Sequence, residues 1–241
     1  MKMLTTILLG ALLLQALPSL AQFSMTVKAG ASLTNASLDK DMSQITGKLS
    51  YHSKGGFMAG IAVGMPLGGE RFSLQPELLF HQKGYVSNYS SSGESSKYSI
   101  TLNYLDLPVM ARVHFGSVRL SAGPYFALGI SGKYKGSNTY GGQTQERKGD
   151  VKFDKEPSGY IGSDIYYNAF DFGLAAGAGV NIRSIVIDLR FGLGLLDIKY
   201  RNFTENPVMN RSLQLTIGVP IFGRRWECGW QRDGFSDLRA L

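Results

Sequence analysis

The sequence predicts an all-β chain: an eight-stranded antiparallel up-and-down transmembrane β-barrel with long extracellular loops and short periplasmic turns. Three observations predict it. Apolar residues recur at every second position in eight separate runs, the runs are long enough to cross a bilayer, and the connections alternate between long and short. In a β-strand successive side chains point to opposite faces, so each run has one greasy face and one small or polar face. About 10 tilted residues span the hydrocarbon layer as a strand.

Residues 1–21 are expected to be a secretory signal peptide. Lys2 supplies the positive n-region, Ile7 to Leu17 the apolar h-region, and Ser19-Leu20-Ala21 a small-x-small cleavage site, so the mature chain begins at Gln22. Beyond it no apolar run reaches the ~18 residues of a membrane helix. Residues 22–222 are read as one barrel domain and residues 223–241 as a periplasmic tail.

The first strand has Met25, Val27, Ala29 and Ala31 on its apolar face, and the second has Phe57 through Met65 at odd positions. The third carries Phe72, Leu74, Pro76, Leu78 and Phe80. The fourth, Leu105–Phe115, is the clearest: every odd position is apolar, and Asp106, Arg112 and His114 stand between. The fifth runs Val118–Ile130, the sixth Phe170–Val180, the seventh Ile185–Leu195 and the eighth from Ser212 to Ile221. Ile100, Leu102 and Tyr104 have the parity opposite to Leu105 onward, which predicts a register break before Pro108. Pro76, Pro108 and Pro124 each lack a ladder donor, so bulges or irregular pairing are expected there.

Pro66–Glu70, Gly116-Ser117 and Asn181–Ser184 are turn-like connections. Ser32–Gly56, Gly84–Lys97, Gly132–Tyr167 and Arg201–Asn210 are long and polar. Strict alternation of the two kinds separates an extracellular from a periplasmic side and puts both barrel ends on the latter. Tyr85, Tyr98, Tyr104 and Tyr200 near the loop side, and Phe115 and Phe222 near the turn side, are expected to form interfacial girdles.

The opposite face of the runs carries Lys28, Glu77, His81, Asp106, Arg112, Arg119, Asp171, Asp188 and Arg190, with His114 beside them. An eight-stranded barrel is just wide enough for its own side chains, so these are expected to form an interior polar network. Buried charges must pair: Glu77 with Arg112, and Asp171 and Asp188 with Arg190 and Arg119. Catalysis has little support. His81 shares a face with Glu77, and a loop serine within reach would complete a nucleophile set, but a satisfied interior histidine explains it better. Gly177-Ala-Gly179 and Gly192-Leu-Gly194 lack the third glycine and the following helix of a nucleotide loop, and no cofactor or metal is expected. The net charge of +7 comes from scattered residues, which does not suit a nucleic-acid binder. A single cysteine, Cys228, excludes an internal disulfide framework.

Phe72-Ser-Leu-Gln-Pro-Glu-Leu-Leu-Phe80-His-Gln-Lys-Gly84, Tyr104-Leu-Asp-Leu-Pro-Val109, Leu120-Ser-Ala-Gly-Pro-Tyr-Phe126, Gly177-Ala-Gly-Val180 and Ile187-Asp-Leu-Arg-Phe-Gly192 occur in that order. With these segments the chain resembles the PorT-like outer-membrane β-barrel family of gram-negative bacteria. The resemblance runs roughly from Phe23 to Phe222, and the tail beyond Phe222 departs from it. It implies a cell outer-membrane protein without an agreed activity. The expected role is therefore structural, or that of an envelope-assembly component acting through its loops, with a side-chain-plugged interior. The alternative is a small porin-like channel for ions or solutes. Expected partners are outer-membrane lipid, lipopolysaccharide and envelope proteins. The lysine-rich stretch Gly132–Tyr167 is the expected contact surface.

Overall fold

The computed structural model describes residues 23–38, 48–67, 71–153, 165–199 and 208–222. Residues 1–21, Tyr200 and residues 223–241 lie outside the described residues, and with them the expected signal peptide, one interfacial tyrosine and the tail. The strands are β1 (Ser24–Leu38), β2 (Lys48–Pro66), β3 (Phe72–Ser91), β4 (Glu94–Phe115), β5 (Val118–Tyr140), β6 (Gln143–Phe153), β7 (Ile165–Tyr167), β8 (Phe170–Ile182), β9 (Ile185–Gly194) and β10 (Val208–Phe222).

Eight of these close a ring in chain order, β1-β2-β3-β4-β5-β8-β9-β10, with β10 returning to β1. Every ring pairing is antiparallel. The reason is the distribution of apolar surface. Leu105, Leu107, Phe126, Leu128, Leu213, Leu215 and Ile217 are exposed on the outer face, while Lys28, Glu77, Arg112 and Arg190 are buried inside. That is the reverse of a water-soluble barrel and suits a lipid surround. Closure leaves the ring without an unpaired edge.

Three of the sequence-read loops are largely strand. In Ser32–Gly56, β1 runs on to Leu38 and β2 begins at Lys48. Much of Gly84–Lys97 extends β3 and β4 to a turn at Ser92-Gly93. Much of Gly132–Tyr167 extends β5 and supplies β6 and β7. β6 pairs with β5 from Gly132↔Val151 to Tyr140↔Gln143. The turn between them is Gly141-Gly142, with φ of 56° and 80°, the left-handed pair that a two-residue hairpin requires. β7 lies parallel on the end of β6. The wall therefore rises well above the apolar belt on the hairpin side.

The parity of β4 corrects the expected register break. Ile100, Leu102, Tyr104, Asp106, Pro108, Met110 and Arg112 are all buried, so one face points inward without interruption from the hairpin side to the turn side. What changes at Tyr104 is the surround. Below it the outer face meets lipid and is apolar; above it the outer face carries Ser99, Thr101 and Asn103, and the apolar residues are inside. The irregularity sits on the partner strand instead. Asn103 pairs with Ser131 and Tyr104 with Gly129, so Ile130 is an extra residue, a bulge on β5. A second shift, between Ser53 and Met58, puts one extra residue on β2 around Gly55-Gly56.

The prolines interrupt the ladder without shifting it. Between β3 and β4 the pairs on either side of the gap at Pro76, Pro76↔Val109 and Leu79↔Asp106, share one register. The same holds between β4 and β5 for Pro108↔Tyr125 and Ala111↔Ala122. Irregular pairing is present there, and bulges are not.

Candidate functional site

The inward faces of the strands build three layers of side chains, one above another. The layer on the turn side is ionic. Glu77 of β3 accepts two bonds from the Arg190 guanidinium of β9, at 3.0 and 2.8 Å. It also accepts from Lys28 Nζ of β1 at 3.0 Å, from Arg112 Nη2 of β4 at 3.3 Å and from Gln75 Nε2 at 2.9 Å. Asp188 of β9 accepts from Arg119 of β5 at 3.0 and 2.6 Å. Lys28 and Arg112 stand 3.2 and 3.6 Å from its second oxygen. Four cations thus surround two carboxylates. Desolvating each ion is expensive, and only such multiple, well-aligned hydrogen bonds offset it. Gly179 of β8 makes room for one of these pairs: a Cβ there would stand 2.2 Å from Asp188 Oδ1 and 2.9 Å from Arg119 Nε.

The middle layer centres on Lys83, which the sequence reading missed because the third run was ended at His81. Lys83 Nζ lies 3.2 Å from Asp106 and 3.3 Å from Asp171, between the rings of Tyr104 and Tyr125 at 4.7 and 4.8 Å. Asn210 Nδ2 donates to Asp171 Oδ2 at 2.8 Å, and the Tyr125 hydroxyl at 3.4 Å. Asp171 therefore meets a lysine and not the expected arginine, and Arg190 belongs to Glu77. The expected Glu77–Arg112 and Asp188–Arg119 neighbours are together.

His81 bridges Asp106 and Ser32 in this layer, with Nδ1 2.8 Å from Asp106 Oδ2 and Nε2 3.0 Å from Ser32 Oγ. Hydroxyl, imidazole and carboxylate stand in the order of a hydrolytic triad. Glu77, the acid considered from sequence, is not the partner. Ser32 is 3% exposed and His81 0%, and Lys83 shares the carboxylate. The three side chains satisfy one another's buried polar groups. Toward the turn-side mouth, His114 is half-buried and 2.9 Å from Ser73 Oγ.

The third layer, on the hairpin side, is apolar and tyrosine-rich. Ile100, Leu102, Tyr104, Tyr134, Val151, Ile198 and Val208 pack together with Tyr85 and Tyr167, whose hydroxyls are 2.5 Å apart. This corrects three of the expected girdle residues. Tyr85 and Tyr104 are buried in the bore, and Tyr98 packs against the same cluster. They stand above the lipid belt, where the wall needs an apolar filling of its own. Phe115 and Phe222 lie on the outer face at the turn side, 60% and 64% exposed.

Two concavities flank these layers. The turn-side mouth holds a cavity of about 30 Å³ lined by Lys28, Ser73, Gln75, Arg112, His114 and Arg119, room for about one water. On the outer face of β4, β5 and β6 is an open depression of about 520 Å³ lined by Lys97, Ser99, Lys135, Ser137, Glu146, Arg147 and Lys148. Among the described residues no group of three or more histidine, cysteine or carboxylate side chains is placed to hold a metal ion.

Residues 15–200 match the family model described as outer membrane protein beta-barrel domain. No curated protein matches the chain. Among solved structures it is similar to Ail, the attachment invasion locus protein of Yersinia pestis, solved in complex with the heparin analogue sucrose octasulfate. That match has 14% identity, covers 83% of this chain and 99% of that one, and has a TM-score of 0.39. It is also similar to Neisserial surface protein A, at 12% identity, 81% and 96% coverage and a TM-score of 0.40. OprG from Pseudomonas aeruginosa matches at 11% identity, 85% and 98% coverage and a TM-score of 0.35.

Proposed function

From the chain's membership of the outer membrane protein beta-barrel domain family, we propose that it is a non-conducting barrel acting structurally, or as an interaction component, through its hairpin-side surface. The observation that carries this reading is the filling of the bore. An ionic layer, a lysine-centred layer and a tyrosine layer are stacked across it, and Lys28, Glu77, His81, Leu102 and Tyr104 are each no more than 2% exposed. An ion entering would have to break charge pairs whose partners are then left unpaired in a dry interior. The same reading takes residues 1–21 as the export signal and residues 223–241 as a periplasmic extension, and includes no catalytic role. Within the family, the ordered segments from Phe72-Ser-Leu-Gln-Pro to Ile187-Asp-Leu-Arg support a PorT-like relationship. Partners are sought among outer-leaflet lipid, lipopolysaccharide and envelope proteins.

Planar-bilayer recording of the purified protein tests the reading. No steady unitary current is expected across the usual voltage range. Steady, voltage-stable unitary currents would replace it with the porin-like channel.

A further inference from the structure

The depression on β4–β6 is bordered below by lipid-facing residues of the same strands. On β5 the outward positions run Phe126, Leu128, Ile130 and then, past the bulge, Lys133 and Lys135. On β4 they run Leu107, Leu105 and then Asn103, Thr101, Ser99 and Lys97. At ~3.3 Å per residue and a tilt near 45°, the backbone of Lys135 stands about 12 Å above that of Ile130, past the apolar belt on the hairpin side. The surface is thus amphiphilic in one direction: apolar wall below, cationic hollow above.

Its charge is concentrated in a way that the fold alone does not require. Lys135 of β5 and Lys148 of β6 are directly opposed in the ladder. Like charges so placed destabilise a sheet. Lys97 and Arg147 line the same hollow, with Glu146 the carboxylate among them. Lys133 differs, since it is opposed by Asp150. Behind the hollow, Lys54 of β2 reaches over β3 and donates to Ser99 Oγ at 2.9 Å and to Thr101 Oγ1 at 2.6 Å. Burial first, and the charge of Lys135 second, hold its ammonium below the ordinary lysine range. An anion in the hollow would relieve this repulsion, and the Ser99 and Ser137 hydroxyls are placed among its lining groups. About 520 Å³ is far more than one phosphate fills and suits a phosphorylated sugar.

We infer that this hollow binds the phosphorylated glucosamine headgroup of an outer-leaflet glycolipid, whose acyl chains lie along Leu105, Leu107, Phe126, Leu128 and Ile130. Lys135, Lys148 and Lys97, which share the outer face, take the phosphate, and the two serines take sugar hydroxyls. Specificity comes from requiring both halves at once. A soluble polyanion meets the cations but leaves the apolar wall to ordinary lipid. The inference rests on the outer-membrane reading with the hairpin side facing out.

The test uses the full-length protein in detergent micelles doped with bisphosphorylated lipid A, or with the same lipid A after enzymatic removal of its phosphates. Wild type is expected to hold the phosphorylated form at least tenfold more tightly. A variant carrying Lys135→Ser and Lys148→Ser is expected to lose that preference, and Lys135→Arg to keep it. Unboiled gel migration verifies that each variant is folded. Equal binding of the two lipids by wild type, or an undiminished preference in the double variant, overturns the inference. So does loss of binding to a soluble sulfated oligosaccharide in the double variant while lipid A binding is retained, which assigns the hollow to a soluble polyanion. A wild-type protein with no heat-dependent shift and no outer-membrane fractionation refutes the membrane reading itself, a distinguishable failure.

Discussion

Glu77 is the residue on which the ionic layer turns, because its two oxygens are shared among Arg190, Lys28 and Arg112. Glu77→Gln keeps the shape and removes the charge, leaving four cations with Asp188 as their one carboxylate. Breaking a buried charge cluster from one side costs about 3–5 kcal/mol. The variant is expected to unfold at a lower guanidinium midpoint in detergent, with a loss of about 3 kcal/mol; an unchanged midpoint would mean that the layer contributes nothing. That these residues face inward was legible from period two, since parity alone assigns a face. Their partners were only half legible. Glu77 with Arg112 followed from neighbouring strands, and Asp188 with Arg119 was one of the combinations left open across β8, whereas Lys83 was hidden by a run ended two residues early. The Ser32–His81–Asp106 chain joins three strands, and no local spacing signals it.

At the scale of the element, the period-two rule holds along β4 while its chemical meaning inverts. Ile100, Leu102 and Tyr104 are apolar and inward, whereas Leu105 and Leu107 are apolar and outward. A parity switch in hydrophobicity therefore marks where the lipid ends, and no break in the strand is needed. The same inversion explains Tyr85, Tyr98 and Tyr104: read as interfacial from their position near strand ends, they belong to a core above the membrane. The true register change is the spare Ile130 on β5. Deleting Ile130 aligns Gly129 and Ser131 with Tyr104 and Asn103 and leaves every side chain on its present face. Deleting Asn103 on β4 instead turns Ile100, Leu102 and Tyr98 to the other face. The first deletion is expected to keep a heat-resistant folded band and the second to lose the tyrosine layer. Protease protection of the hairpin side, with the two deletions compared, checks this.

For the whole molecule, the ring of eight was legible because lipid demands both regular alternation and sorted connections. β6 and β7 were not, because a stretch of Gly, Ser, Lys and Gln has no periodic apolar face and its pairing depends on β5 already standing there. The closed ring predicts slower or faster gel migration of the unboiled protein relative to the boiled one, with the protein in the outer-membrane fraction; identical migration would argue against closure. The ring is joined by β1 and β10, paired from Met25↔Phe222 to Leu38↔Val208. This seam links residues 170 to 197 positions apart, and such distant contacts form slowly. The strand that emerges first must wait for the one that emerges last, and until then both present bare edges to their surroundings. Assembly is accordingly a single late event: the interval between export and closure is when the chain is vulnerable, and whatever escorts it through that interval must shield its two ends together.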